Sequence, residues 1–269
     1  MDEIEFRKSA INAGDCIGTG WKLVTANLGI YLGVALVALI IYIVGSFIAS
    51  IIPFVGPFIT IAVSAPLLGG LYYLAIKNVD GEPIDFAMMF KGFDQLGPLL
   101  ILALIQALPS IVIIILAYTG EFATMYGLPL PAGSDSSGAG IDPRVLTGLP
   151  VLVFLFIGVW VVFSIVWALI FFFSVQLIMD RELGAIEAIT TSVRAAFSNA
   201  GGAIGLMILC GLVALLGALA ICIGLFVAIP VTWVAMAVAY REVFPRSSET
   251  RWTTPPPPTE YASSFGQGL

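Results

Sequence analysis

The side chains that carry most enzyme chemistry are scarce in this chain of 269 residues. It contains no histidine, so the commonest general base, proton shuttle and metal ligand is missing. The cysteines are Cys16, Cys210 and Cys222, and no two of them form the CxxC pair typical of a zinc or dithiol redox site. The GxSxG sequence of a serine hydrolase is also missing. We therefore expect a protein that is not an enzyme, with no catalytic residue, metal site or cofactor.

Two groups of carboxylates are the remaining candidates for chemistry. Asp80, Glu82 and Asp85 lie in the sequence DGEPID, and a second group is formed by Asp180, Glu182 and Glu187. Carboxylates bind Ca²⁺ and Mg²⁺, but neither group has the spacing of a calcium-binding loop. The pair Asp80-Gly81 is typical of a turn. This favours a structural interpretation, with metal binding as the alternative.

Two glutamines lie inside long stretches that carry no charge. Because an amide in hydrocarbon needs a hydrogen-bond partner, Gln106 and Gln176 are predicted to form interhelical hydrogen bonds. The alternative is a polar cavity lined by Ser64, Gln106 and Gln176, which would favour a transporter. Ion-coupled transporters usually keep ionisable groups within the membrane, and these stretches contain none.

The composition indicates the environment of the chain. Hydrophobic residues make up 59% of it and charged residues 10%, against about 25% charged in soluble domains, and the mean hydropathy is +1.06. A water-soluble domain cannot bury so much apolar surface, so the sequence predicts an integral membrane protein. The net charge of −6 speaks against a nucleic-acid partner.

The positions of the charges predict the spans. No charged residue occurs in the windows 23–76, 95–120, 145–179 and 195–240. A helix needs about 20 apolar residues to cross the hydrocarbon core, so the first and last windows hold two spans each and the middle windows one each. The predicted fold is all-α, with six transmembrane helices at approximately 24–50, 58–77, 97–118, 149–178, 202–221 and 225–242.

Orientation follows from lysine and arginine. With both termini in the cytoplasm, ten of the eleven basic residues lie inside and only Arg144 lies outside. The first apolar stretch is too long for a signal-peptide core, so we expect no cleavage. The region 119–148 is then an external loop.

Short amphipathic segments precede or follow the spans, and we expect them to lie in the cytoplasmic interface. The clearest runs from Leu183 to Phe197, with an apolar stripe of Leu183, Ile186, Ile189, Val193 and Phe197. The other two are Ile84–Phe93, with the stripe Phe86, Met89, Phe90 and Phe93, and Ser9–Trp21.

The first and last windows, each a hairpin of two spans, share a pattern. Pro66 stands eleven residues before Lys77, and Pro230 stands eleven residues before Arg241. Both prolines are predicted to kink their helices. Since both hairpins enter from the same side, a structural repeat would be parallel, with its axis near the membrane normal.

Residues 246–269 form a proline-rich tail, predicted to be disordered and cytoplasmic. Pro255–Pro258 favour an extended conformation. The spacing of Trp252, Tyr261 and Phe265 is that of anchors for a partner protein.

Three stretches carry a resemblance to a known family. They are PLLGGLYYLAIKNVDGEPIDFAMMFKGFDQLGPLLILAL, LIMDRELGAIEAITTSVRAAFSNAGGAI and AVAYREVF, covering most of residues 9–245. The pattern resembles a group of bacterial multi-pass membrane proteins that includes the membrane domain attached to some glycerophosphodiester phosphodiesterases. The resemblance implies six helices and a bacterial plasma membrane, and it implies no activity.

The functional expectation is a non-enzymatic accessory or scaffold subunit of a membrane complex. Its partners would be the lipid bilayer and other membrane subunits, or a second copy of the chain, with no nucleic acid. The alternative is a transporter or channel for a neutral or apolar small solute.

Overall fold

The computed structural model describes residues 5–51, 55–110, 143–220 and 224–246. These ranges form helices, and no strand occurs within them. In chain order the helices are α1 (Ala13–Ala26), α2 (Leu28–Ile51), α3 (Gly56–Val79), a 3₁₀ helix (Phe86–Gln95), α4 (Leu96–Gln106), α5 (Pro143–Ile170), α6 (Ser174–Arg181), α7 (Ala185–Ser198), α8 (Ala200–Leu219) and α9 (Leu225–Val243). Six helical stretches are long and apolar enough to cross a membrane, which confirms the predicted all-α, multi-pass membrane fold.

The first, third and fourth spans differ from their predicted bounds. The stretch predicted at 24–50 is two helices, because Asn27 separates α1 from α2 and donates its side-chain amide to the Leu23 carbonyl at 3.3 Å. The third span begins earlier than 97, in the 3₁₀ helix. Residues 143–148, predicted as part of the external loop, belong to α5.

The fourth span is interrupted. The sequence predicts one helix over 149–178, but the structure ends α5 at Ile170 and starts α6 at Ser174. At this break the Phe173 N–H donates to the Ser192 hydroxyl of α7 at 3.0 Å, a buried bond in place of a helical one. The Ser192 hydroxyl therefore accepts a hydrogen bond from a backbone N–H that the break leaves without a helical partner.

The packed core lies in one half of the bundle. Helices α3, α6 and α9 all end at the same side, which we call the charged end because Asp80, Asp180 and Arg241 lie there. In α3 and α9 the buried side chains run from Ala65 and Ala228 onward to this end. Large apolar side chains of α2, α5 and α8 are exposed towards the opposite end, as expected for faces that contact lipid.

The interfacial helices pack through their small residues. The apolar stripe predicted for Leu183–Phe197 does not form the packing face of α7, since Ile186 and Phe197 are exposed. The buried face consists of Ala185, Ala188, Ser192, Ala195 and Ala196. In the 3₁₀ helix Met89 and Gly92 are buried, and the three phenylalanines of its predicted stripe are exposed. Small side chains permit close approach to the bundle, which leaves the large ones free to face the lipid.

Glycines bring an interfacial helix against each proline-containing helix. A Cβ added to Gly92 would overlap the Pro66 carbonyl of α3. A Cβ added to Gly20 of α1 would lie 2.9 Å from the Val231 carbonyl of α9, one residue after Pro230. An interfacial helix thus crosses each proline-containing helix at a glycine. The parallel repeat and its axis stay predictions.

Candidate functional site

One arginine joins the ends of three helices. Arg241, in the last turn of α9, donates Nε to Asp80 Oδ1 and Nη2 to Asp80 Oδ2, both at 2.8 Å. The same guanidinium donates Nη1 to Asp180 Oδ2 at 2.8 Å and Nη2 to Asp180 Oδ1 at 2.6 Å. Asp80 ends α3 and Asp180 lies in the last turn of α6. Arg241 therefore holds two carboxylates through two bidentate contacts, the strong geometry for this pair.

Further donors complete this group, which we call the arginine clamp: Asp80, Asp180, Tyr240, Arg241 and Arg246. The Tyr240 hydroxyl donates to Asp180 Oδ2 at 2.7 Å, and Arg246 Nη2 lies 2.6 Å from Asp80 Oδ2. The side chains of Asp80 and Arg241 are 5% and 13% exposed. Arg241 and Arg246 also place positive charge near the C-terminal end of α9, where it interacts favourably with the negative end of the helix dipole.

The clamp is suited to holding helices together. Each of the four carboxylate oxygens accepts a hydrogen bond from an arginine. The sequence offered two groups of carboxylates as an alternative metal site. One member of each group, Asp80 and Asp180, binds the Arg241 guanidinium instead. Among the described residues no group of three or more Cys, Asp or Glu side chains is arranged to hold a metal ion.

A thiol lies at the contact of α1 with α9. Cys16 is fully buried and donates Sγ–H to Glu242 Oε2 at 3.5 Å. Burial, together with the neighbouring Glu242 carboxylate, raises the pKa of the Cys16 thiol far above its usual value. Because the thiolate is the nucleophile, this cysteine is unreactive at neutral pH.

A cavity of about 490 Å³ lies between α2, α3 and α4. Its polar side chains are Tyr42, Ser64, Gln106 and Ser110, and its other lining residues are alanine, leucine and isoleucine. Among the described residues that line the cavity there is no Asp, Glu, Lys or Arg. The cavity is therefore an uncharged, largely apolar site with a few hydrogen-bonding groups, which is the usual character of small-molecule sites.

The cavity lies near the middle of the membrane. Lys91 and Asp94 of the 3₁₀ helix are charged and exposed, so they mark the interface just before α4 begins. At about 1.5 Å per residue, Gln106 lies about 16 Å further along α4. The hydrocarbon core is about 30 Å thick, which places Gln106 close to its midplane.

Helix α4 is interrupted at this depth by a single turn residue. Gln106 is the last residue of α4, Ala107 is a turn residue with φ −78° and ψ −10°, and residues 108–110 are helical again. The Gln106 backbone carbonyl accepts a hydrogen bond from the Trp167 indole of α5 at 3.2 Å. A side chain of the fourth span therefore supplies the hydrogen bond for a carbonyl of the third span.

The two glutamines have different surroundings. Within the described residues the Gln106 side chain makes no hydrogen bond, and it borders the cavity together with Ser64. Gln176 does not line the cavity. It is buried in α6 near the charged end, where its Nε2 and the Ser174 hydroxyl have no hydrogen-bond partner within the described residues.

The remaining predicted site residues fall in two classes. Pro66 lies inside α3 and Pro230 inside α9, both buried. The predicted partner-binding residues Trp252, Tyr261 and Phe265 lie outside the described residues. The sequence analysis identified Asp80 and Asp180 only as candidate carboxylates, without their pairing with Arg241, and it did not place Tyr42 or Ser110 at a cavity.

The chain matches no protein-family model, no curated protein and no solved structure.

Proposed function

We propose that the protein is a membrane carrier for an uncharged solute. The observation that carries this proposal is the cavity between α2, α3 and α4, which lies near the midplane and has an uncharged lining with hydroxyl and amide groups. A solute without charge needs no ionisable group at the site, so the neutral lining fits this class and not a coupled ion transporter.

The position of the packed core supports the same function. The helices pack closely between the cavity and the charged end, and the arginine clamp joins α3, α6 and α9 there. Closure on one side of a midplane site is what one state of an alternating-access carrier requires. In this proposal the opposite state forms when α9 separates from α3 and α6, which breaks the contacts of Arg241.

The proposed location is the bacterial plasma membrane, with both termini and the charged end in the cytoplasm. The excess of lysine and arginine on that side supports the orientation. The bacterial origin rests on the family resemblance.

Flux through proteoliposomes tests the function. Two uncharged probes suffice: glycerol, followed by light scattering, and a glucoside lipid with a fluorescent chain, followed by chemical quenching in the outer leaflet. We expect the full-length protein to accelerate at least one probe several-fold over empty liposomes. Ala103→Phe should abolish this, because the new ring occupies the cavity.

The matched control is Ile101→Phe, which adds the same ring to the lipid-facing side of α4. It should leave the flux unchanged. If neither probe moves faster than in empty liposomes, or if the two variants behave alike while both remain folded, the carrier proposal is wrong.

A scaffold or accessory subunit is the second candidate. The outward faces of α2 and α5 favour it, since they expose Phe47 and Phe154 to about 70%. Removal of the tail from residue 246 is not a clean test, because Arg246 belongs to the clamp.

Replacing Trp252, Tyr261 and Phe265 by alanine in the full chain tests the scaffold role without disturbing the clamp. A scaffold should lose a co-purifying membrane protein in this variant and keep its own folding. An unchanged set of co-purifying proteins would contradict this role for the tail.

A further inference from the structure

We infer that the solute of the cavity is an uncharged amphiphile with a hydroxyl-rich head and a single chain, taken up from the bilayer. The inference rests on the proposed function, which requires only an uncharged solute, and adds the chemical class.

The head group is assigned from the hydrogen-bonding side chains. Tyr42, Ser64, Gln106 and Ser110 supply three hydroxyls and one amide from three helical segments. The Ser64 hydroxyl has only a long contact of 3.5 Å to the Ile61 carbonyl, and the Gln106 amide has no partner within the described residues. An unpaired amide in hydrocarbon is costly, so these groups call for a ligand that both donates and accepts.

The absence of charge is assigned from the lining. In the part of the chain that the structure describes, no charged side chain borders the cavity, which lies where a charged group is most expensive to place. A phosphate or carboxylate head would have no arginine or lysine to pair with at this site. Phospholipids and fatty acids are therefore disfavoured.

The apolar chain is assigned from the rest of the wall and from its opening. Leucine, isoleucine and alanine form the remaining lining. Among the lining residues Tyr42 is 49% exposed and Leu68 is 37% exposed, so the described part of the cavity opens at the side of the bundle at midplane depth. At that depth the surroundings are acyl chains. A volume of about 490 Å³ lies within the range of about 300–1,000 Å³ that accommodates a drug-sized ligand.

Photolabelling of the full-length protein tests the inference. The protein is extracted into polymer nanodiscs without glucoside detergent, and the probe is dodecyl glucoside with a diazirine in its chain. We expect labelled peptides from the cavity walls of α2, α3 and α4. Unlabelled dodecyl glucoside should prevent this labelling, whereas dodecylphosphocholine, with the same chain and a charged head, should not.

Two variants separate the head group from the chain. Gln106→Leu should reduce the protection by dodecyl glucoside about tenfold, the size of one or two hydrogen bonds lost in a dry site. Gln95→Leu removes the same side chain at the start of α4, outside the cavity, and should match the wild type. Both are compared only as folded proteins, with Ser64→Ala as a second variant if Gln106→Leu does not fold.

The outcomes distinguish this inference from the proposed function. Equal competition by the two amphiphiles, or full protection in both Gln106→Leu and Ser64→Ala, overturns the inference. If the cavity is not labelled but glycerol flux is lost in Ala103→Phe, the carrier stands and the amphiphile is wrong. If there is neither labelling nor flux, both are wrong.

Discussion

Arg241→Met is expected to lower the free energy of unfolding by about 3–5 kcal/mol, the usual cost of removing one partner from a buried ion pair. The substitution leaves Asp80 and Asp180 in place, and Asp80 is only 5% exposed. Arg246 still contacts Asp80, but among the described residues Asp180 keeps only Tyr240 and its partly exposed neighbour Arg181. The midpoint of thermal unfolding in detergent should fall clearly, and a chemical denaturant should unfold the variant at lower concentration.

Lys91→Met provides the matched control. Lys91 pairs with Asp94 at 3.2 Å, but the two side chains are 56% and 65% exposed, so the pair contributes at most about 1 kcal/mol. The same change of charge and shape should therefore be nearly silent there. Equal destabilisation by the two substitutions would contradict the special position of Arg241.

A combined variant tests whether the cost comes from unpaired charge. In Arg241→Met with Asp80→Asn and Asp180→Asn, no buried carboxylate is left without its cation. Replacing a whole buried ion pair by neutral groups is often close to neutral in stability. The triple variant should therefore regain most of the lost stability, and failure to regain any would mean that Arg241 acts by packing alone.

The clamp also connects stability with the proposed transport cycle. If α9 separates from α3 and α6 during transport, Arg241→Met should alter flux in proteoliposomes even where enough protein stays folded. A static clamp would change stability only. Measuring both quantities on the same sample separates the two roles.

The sequence predicts the spans well because their signal is local. A window free of charge and long enough to cross the bilayer identifies a span without knowledge of its neighbours. The break at residues 171–173 was missed for the opposite reason. It depends on the hydroxyl of Ser192, which reaches Phe173 from another helix.

The clamp escaped prediction because its pairs are far apart in the chain. Asp80 is 161 residues from Arg241, and Asp180 is 61 residues from it. Each residue does stand at or near the edge of a charge-free window, which places all three at one membrane surface. That pattern predicts that Asp80, Asp180 and Arg241 lie at the same depth in the membrane. Which of them pair is determined by the packing of the helices.

The candidate cavity was predicted in part. Ser64 and Gln106 line it as the transporter alternative required, while Gln176 lies in α6, about 8 Å along the helix axis from Arg181. Helical periodicity likewise predicted the extent of α7 but not its buried face. Periodicity assigns the most hydrophobic side chains to the buried face, whereas α7 packs closely against the bundle and therefore buries its alanines.

Gly92→Ala is expected to be among the most damaging glycine-to-alanine substitutions in the described bundle. Its Cβ would overlap the Pro66 carbonyl, and the neighbouring crossing residue Gly70 faces the Met89 carbonyl in the same way. Both obstacles are backbone atoms, so no side chain can rotate to make room. The 3₁₀ helix would have to move away from α3, and overpacking of this kind costs about 1–3 kcal/mol or more.

Gly97→Ala distinguishes this steric effect from the ordinary effect of glycine on a helix. Gly97 lies in the first turn of α4, five residues from Gly92, and a Cβ there would meet no atom within 4 Å. Alanine in a helix is favoured over glycine by up to about 1 kcal/mol, so this variant should be as stable as the wild type or slightly more so. Thermal unfolding of the two variants should therefore shift in opposite directions or differ by several degrees. Gly20→Ala should lower the midpoint of thermal unfolding, as Gly92→Ala does. Its Cβ would lie 2.9 Å from the Val231 carbonyl, because α1 crosses α9 through the same kind of contact.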